Sequence, residues 1–149
     1  MKLAIASDHG GVALKKEIIK NLKNRPVDIE DLGSNDDQSV DYPDYAVKVA
    51  ERVSQGQVAA GLLICGTGIG MCIVANKFKN VRAAVVSDPY SAKMAKEHNN
   101  ANILCIGGRV VDPAKAQEIV NAWLEAKFEG GRHDKRLEKI REIEKKNFK

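Results

Sequence analysis

Apolar residues along the chain fall into short blocks, separated by stretches of helical periodicity. Leu3 to Ser7 is an apolar run of strand length. Gly10-Gly11 follows, and Leu14, Ile18 and Leu22 then recur at helical spacing. Pro26 ends that helix, and Val27 to Leu32 predicts a second strand. Residues 33–41 are rich in turn formers and predict a loop. Pro43 opens a helix in which Ala46, Val49, Ala50 and Val53 share a face, and Gly56 closes it. Val58 to Ile64 is apolar throughout, as a central parallel strand should be. A glycine segment comes next, then a helix through Met71 to Lys77 and a fourth strand, Val81 to Val86. Asp88-Pro89 starts a helix that ends near His98-Asn99-Asn100, and Asn102 to Ile106 is the fifth strand. Pro113 starts a helix carrying Ile119, Val120, Trp123 and Leu124. Gly130-Gly131 breaks it, and Asp134 is placed as the cap of a last, charged helix.

This alternation predicts an α/β fold, a five-stranded parallel sheet covered by helices on both faces with an extra C-terminal helix. No repeat or linker divides the 149 residues, so residues 1–149 are expected to form a single domain. In such a sheet, ligands bind beyond the carboxyl ends of the strands, at the point where strand order reverses. Ser7 to Gly11, Cys65 to Gly70 and Gly107-Gly108-Arg109 each follow a strand and would converge there. If the first and third strands are neighbours, Asp8 and Cys65 face each other across that point. His98-Asn99 is placed at the same edge.

Composition narrows the function. Hydrophobic residues make up 44% and charged residues 30%, a globular balance. Aromatic content of 5% argues against stacking platforms for single-stranded nucleic acid. The net charge of +4 comes largely from the C-terminal run Arg132, Lys135, Arg136, Lys139, Arg141, Lys145, Lys146 and Lys149. Glu138, Glu142 and Glu144 interrupt the run, which suits a solvated helix face better than a nucleic-acid surface. Three cysteines without a CxxC pair, and no signal peptide or membrane span, lead to an expectation of free thiols in a reducing cytoplasm.

The segment Cys65-Gly66-Thr67-Gly68-Ile69-Gly70 carries the sharpest chemistry. Closely spaced glycines let backbone N–H groups turn toward an anion, and the following helix N-terminus adds positive potential. Three better-known loops fail. Position 71 is Met where a dinucleotide fingerprint of this spacing needs Gly; Gly66 precedes Thr67 directly, unlike a Walker loop; and Met71 stands where a cysteine phosphatase needs Arg. An anion nest with a thiol at its entrance remains, and a thiolate there can abstract a proton. Cys72 and Cys105 are read as structural. Asp8-His9 suits a helix N-cap and His98 a helix C-terminus, neither of which excludes a chemical role. The three histidines are far apart in sequence with no HxxxH spacing, so no dedicated metal site is expected. Arg132 and Arg136, four apart with His133 between them, suit bidentate phosphate binding or a charged surface.

Taken in order, Ser7 to Gly11, Asp41-Tyr42-Pro43, Cys65 to Gly70, Ala75-Asn76-Lys77, His98-Asn99, Gly107-Gly108-Arg109 and Glu129 to His133 resemble the type B ribose-5-phosphate isomerases, within the ribose/galactose isomerase family. The resemblance spans essentially the whole chain. It implies a Rossmann-like fold, a homodimer or a tetramer built from it, active sites shared between subunits, and aldose–ketose isomerisation of a sugar phosphate without metal or organic cofactor. It assigns Cys65 as the base between C2 and C1, with Thr67 and the Gly66, Gly68 and Gly70 amides cradling the enediolate. Asp8 and His98 are assigned to ring opening. His9, Arg132, Arg136 and Arg109 are assigned to the phosphate, Tyr42 and Asn99 to the sugar. Some relatives carry a glutamate base just after the last glycine; Met71 and Cys65 place this chain with the cysteine-base group. An allose 6-phosphate or galactose 6-phosphate isomerase of the same family is the nearest alternative. A non-enzymatic phosphate- or nucleotide-sensing module is the alternative from another class.

Overall fold

The computed structural model describes residues 1–148, so Lys149 of the basic run lies outside the described residues. Five strands form one all-parallel sheet: β1 (Lys2–Ser7), β2 (Asp28–Asp31), β3 (Ala60–Cys65), β4 (Ala83–Val85) and β5 (Ile103–Gly107). Six α-helices accompany them: α1 (Val12–Leu22), α2 (Tyr42–Ser54), α3 (Ile69–Ala75), α4 (Pro89–Glu97), α5 (Pro113–Glu125) and α6 (Arg132–Asn147). The strand order is β2-β1-β3-β5-β4. The chain grows outward from β1 to β2, then returns to place β3 on the other side of β1. Strand order therefore reverses between β1 and β3, as the expected switch point requires.

Strand alternation divides the core into two layers. Leu3, Ile5, Leu62, Ile64, Leu104 and Ile106 point to the face covered by α1, α4 and α5, where Trp123 is fully buried. Ala4, Ala6, Leu63, Cys65, Ile103 and Cys105 point to the face covered by α2 and α3. Alanines on that second face let α2 lie close to the sheet. The Trp123 indole N–H donates to the Ala101 carbonyl at 3.1 Å, so the large ring enters the core with its polar atom satisfied. Fully burying each aliphatic side chain contributes roughly 1.5–3 kcal/mol, which is why a core poor in aromatics suffices. No helix among the described residues is long and apolar enough to cross a membrane.

The boundaries differ from the sequence expectation in informative places. β3 runs through Cys65, so the thiol belongs to the last strand residue and is buried. β4 is shorter than its apolar run. Asn76 takes over part of its pairing, accepting from the Ala83 N–H at 2.9 Å and donating to the Ala83 carbonyl at 3.0 Å. The Asn102 side chain accepts from the Arg82 N–H at 2.7 Å. Asp134 does not cap α6. Gly130 and Gly131 both adopt positive φ, so the helix begins at Arg132 with Gly131 at the N-cap. Asp134 instead sits in the first turn, where its charge meets the positive helix end.

Candidate active site

The carboxyl ends of β1, β3 and β5 bring three segments together. Asp8 follows β1 and its carboxylate accepts from the Gly10 N–H at 2.9 Å, capping a single 3₁₀ turn, His9–Gly11. The capping expectation for Asp8 holds, and the residue is buried beside the switch point. The turn after β5 is bound to the one after β3: the Gly108 N–H donates to the Cys65 carbonyl at 2.7 Å and the Arg109 N–H to the Gly66 carbonyl at 3.0 Å. These bonds lay the Arg109 guanidinium over Gly66 and Gly10. A Cβ built on either glycine would lie within 3.6 Å of it.

Within the nest, the Gly68 N–H donates to Cys65 Sγ at 3.1 Å and the Ile69 N–H to Thr67 Oγ1 at 3.2 Å. The Gly66 and Thr67 amides have no acceptor among the described residues, so two backbone donors beside the thiol remain free for an anionic oxygen. Gly68 holds φ +80°, and a Cβ there would lie 2.9 Å from the Ile106 backbone. Gly70 lies under the Tyr42 ring, with 2.5 Å between an added Cβ and the ring edge. Tyr42 is thereby placed beside the nest. His9 Nδ1 accepts from the Val40 N–H at 3.1 Å, which leaves the ring to offer Nε2 as a donor.

The other half of the expected site is elsewhere. His98 terminates α4, a helix that returns antiparallel to the strands and delivers the chain to the start of β5. Its C-terminus therefore lies at the amino edge of the sheet, and the placement of His98-Asn99 at the carboxyl edge is wrong for that topological reason. α6 joins this second group. The Glu129 N–H donates to the Glu97 carbonyl at 3.0 Å, and the His133 ring stacks on the His98 ring with centroids 4.3 Å apart. Arg132 and Arg136 share the first turns of α6. So Asp8, His9, Tyr42, Cys65, Thr67, the nest glycines and Arg109 sit at one edge. His98, Asn99, Arg132 and Arg136 sit at the other. A strand of six residues separates the edges, roughly 17 Å at about 3.3 Å per step.

Two of the histidines far apart in sequence, His98 and His133, do meet in space, and the donor atoms of His98, Glu129 and His133 all lie within 4.8 Å of one another. The rings are nearly parallel, 16° apart, so their in-plane lone pairs do not converge on one point. Arg132 and Arg136 add positive charge beside His133. This arrangement disfavours a cation.

Two features escaped the sequence reading. Lys15 is fully buried, and its ammonium donates to Asp31 Oδ1 at 2.7 Å, the Ser34 carbonyl at 2.6 Å and Asn35 Oδ1 at 2.9 Å. It ties the loop after β2 to α1, and that loop in turn exchanges backbone bonds with Ser7, next to Asp8. Its signal was present: Lys15 falls three before Ile18 and seven before Leu22, on the buried stripe of α1. The second is the contact between Cys72 and Cys105. The Cys105 thiol lowers the Cys72 pKa to about 7, while Cys72 and burial push Cys105 up. Cys72 is thus an easily ionised thiol, but it hydrogen-bonds the Ala83 carbonyl at 3.5 Å.

Parallel sheet, switch-point thiol and glycine nest define a class of small-molecule α/β site built around a buried sulfur beside free backbone amides. The family model described as Ribose/Galactose Isomerase matches residues 3–140, and the chain belongs to that family. It is 48% identical to ribose-5-phosphate isomerase B of Escherichia coli, the match covering 97% of each chain. It is 51% identical to a putative sugar phosphate isomerase of Bacillus subtilis, over 99% of this chain and all of that one. Among solved structures, ribose-5-phosphate isomerase B of Clostridium thermocellum superposes with a TM-score of 0.95 at 53% identity, covering 98% of this chain and 99% of that one. The Mycoplasma genitalium enzyme with bound ribulose-5-phosphate gives 0.94 at 45% identity, covering 98% and 97%.

Proposed function

We propose that this protein interconverts ribose 5-phosphate and ribulose 5-phosphate, and that two copies build each active site. The observation that carries the chemistry is the buried Cys65 sulfur beside the two free amides of Gly66 and Thr67 at the switch point. The family and the relatives' names support the substrate. The split of the assigned residues between two sheet edges supports the shared site. One subunit presents the thiol and nest; the partner subunit presents its His98, Arg132 and Arg136.

The furanose must first open. A base takes the proton from the anomeric hydroxyl, the C1–ring oxygen bond breaks, and an acid protonates the departing oxygen. Asp8 from one subunit and the partner's His98 divide these tasks. Opening leaves an aldehyde at C1. The Cys65 thiolate then removes the C2 proton, and the charge moves to the oxygen on C1. The Gly66 and Thr67 amides meet that charge; one such donor is typically worth about 3 kcal/mol of barrier. The thiol returns the proton to C1, and the proton on the C2 hydroxyl passes to the oxygen on C1, which leaves the ketone at C2 and a hydroxyl at C1. Arg109 and His9 on one side, with the partner's Arg132 and Arg136, hold the phosphate and align the carbons with the sulfur. No step calls for a metal or organic cofactor. Three free thiols fit a cytoplasmic setting.

The deciding assay is turnover of ribose 5-phosphate against allose 6-phosphate by wild type, Cys65→Ala and Cys72→Ser. Cys65→Ala is expected to abolish turnover while still binding sugar phosphate, and Cys72→Ser to retain it. Undiminished turnover by Cys65→Ala removes the thiol from the mechanism. Preference for the six-carbon substrate transfers the activity to the sister reaction. Arg132→Ala and Arg136→Ala are expected chiefly to raise KM.

A further inference from the structure

His98 has a partner to which the mechanism above gives no task. The His133 ring lies against it, centroids 4.3 Å apart and planes 16° apart. His133 is 4% exposed, and its Nε2 has no hydrogen-bond partner among the described residues; a Glu129 carboxylate oxygen lies 3.7 Å away. A buried imidazole that spends no nitrogen on its surroundings contributes its face. The backbone sets that face in place from two directions. The Glu129 N–H is bonded to the Glu97 carbonyl, adjacent to His98, and the His133 N–H to the Gly130 carbonyl at 3.0 Å. The loop 129–131 and the first turn of α6 are thus registered against the end of α4.

We propose that His133 is a positioning residue for His98, fixing by ring stacking the plane in which His98 presents its nitrogens to the sugar ring. This rests on the reading of His98 as a ring-opening group. Stacking suits the task because it restrains the ring while leaving both His98 nitrogens free to move protons. A hydrogen bond would orient the ring too, but would occupy one of them. The stack also needs one ring uncharged, since two imidazolium faces repel. The groups facing His133 serve that end. Burial, His98, Arg132 and Arg136 all disfavour a proton on it, and only Glu129 acts the other way.

The test compares purified full-length wild type with His133→Leu, His133→Asn, His133→Phe, His98→Asn and the His98→Asn/His133→Leu double variant, assayed on ribose 5-phosphate. His98→Asn is expected to lower kcat about 100-fold. His133→Leu and His133→Asn should lower kcat at least about 10-fold with KM within about twofold, because small misplacements of a catalytic group are costly. His133→Phe keeps a flat ring without nitrogens and should stay within about threefold of wild type. In the His98→Asn background, His133→Leu should cost nothing further, as a residue acting only through His98 must. Full kcat in both His133→Leu and His133→Asn overturns the proposal, as do multiplied losses in the double variant or a His133→Phe no better than His133→Asn. If His98→Asn itself keeps full kcat, the ring-opening reading is what fails, and the proposal falls with it. Should His133→Leu not fold, His133→Asn takes its place alone and in the double variant.

Discussion

Lys15 and His133 show what a single side chain does when burial removes its access to water. The Lys15 ammonium is tolerable in the interior because three oxygens surround it within 2.9 Å. Lys15→Met keeps the length of the side chain but leaves those acceptors short of a donor. We expect it to cost about 3 kcal/mol, read as a lowered urea midpoint, since removing one member of a buried pair is strongly destabilising. His133 works in the opposite sense, as a base kept neutral. Its pKa is held below the ordinary 6.5 by burial first, then by His98 and Arg132. The unfolded chain takes up this proton as pH falls through about 6.5, while the folded chain resists. The stability tied to His133 is therefore fully present above that pH and is lost as pH falls through the folded value. Urea midpoints at pH 7.5 and 5.5 should fall further for wild type than for His133→Phe. An equal fall in both would contradict the assignment.

Elements bring the residues to their places, and here the sequence was legible in proportion to how local the information is. The strand and helix order follows from periodicity, because each apolar stripe has one period and must find one cover. The glycine nest was equally plain, since strand, glycines and helix are contiguous. β4 was overlong because Asn76 and Asn102 side chains, distant in sequence, supply bonds that a ladder would have made. The placement of His98 failed for another reason: between parallel strands a helix must end at the amino edge, a consequence of the whole topology rather than of the motif around His98. Gly68 shows how tightly an element junction can be specified. Gly68→Ala would force a side chain into φ +80° and against the Ile106 backbone. Strain of about 1–2 kcal/mol from the conformation alone should shift the α3 entry and carry the nest amides with it. Circular dichroism should show the fold retained at a lower melting temperature, with kcat reduced more than KM is raised.

At the scale of the molecule, the proposed division of the site between two sheet edges bears on assembly. Apolar side chains stand exposed around the carboxyl edge at Ile69, Ile73, Val85 and Val110, and along α6 at Ile140 and Ile143. Such surfaces mark where another chain docks. A two-fold dimer would set each thiol half against the partner's histidine and arginine half. The prediction is complementation. Cys65→Ala protein, inactive alone, and His98→Asn protein, about 100-fold impaired alone, should recover about a quarter of wild-type activity when refolded together in equal amounts, because half of randomly paired two-fold dimers are mixed and each mixed dimer has one intact site. No recovery would mean that Cys65 and His98 of the same chain serve one site.

If two copies build each site, the separation of roughly 17 Å between the edges of one sheet also makes turnover depend on the amount of protein present. On that reading a lone subunit would possess every assigned residue and no complete centre. Turnover per molecule would then cease to be a constant of the chain and become a function of encounter. Diluted below the dissociation constant of the pair, the preparation should lose specific activity in direct proportion to concentration, and adding inactive Cys65→Ala subunits should bring part of it back.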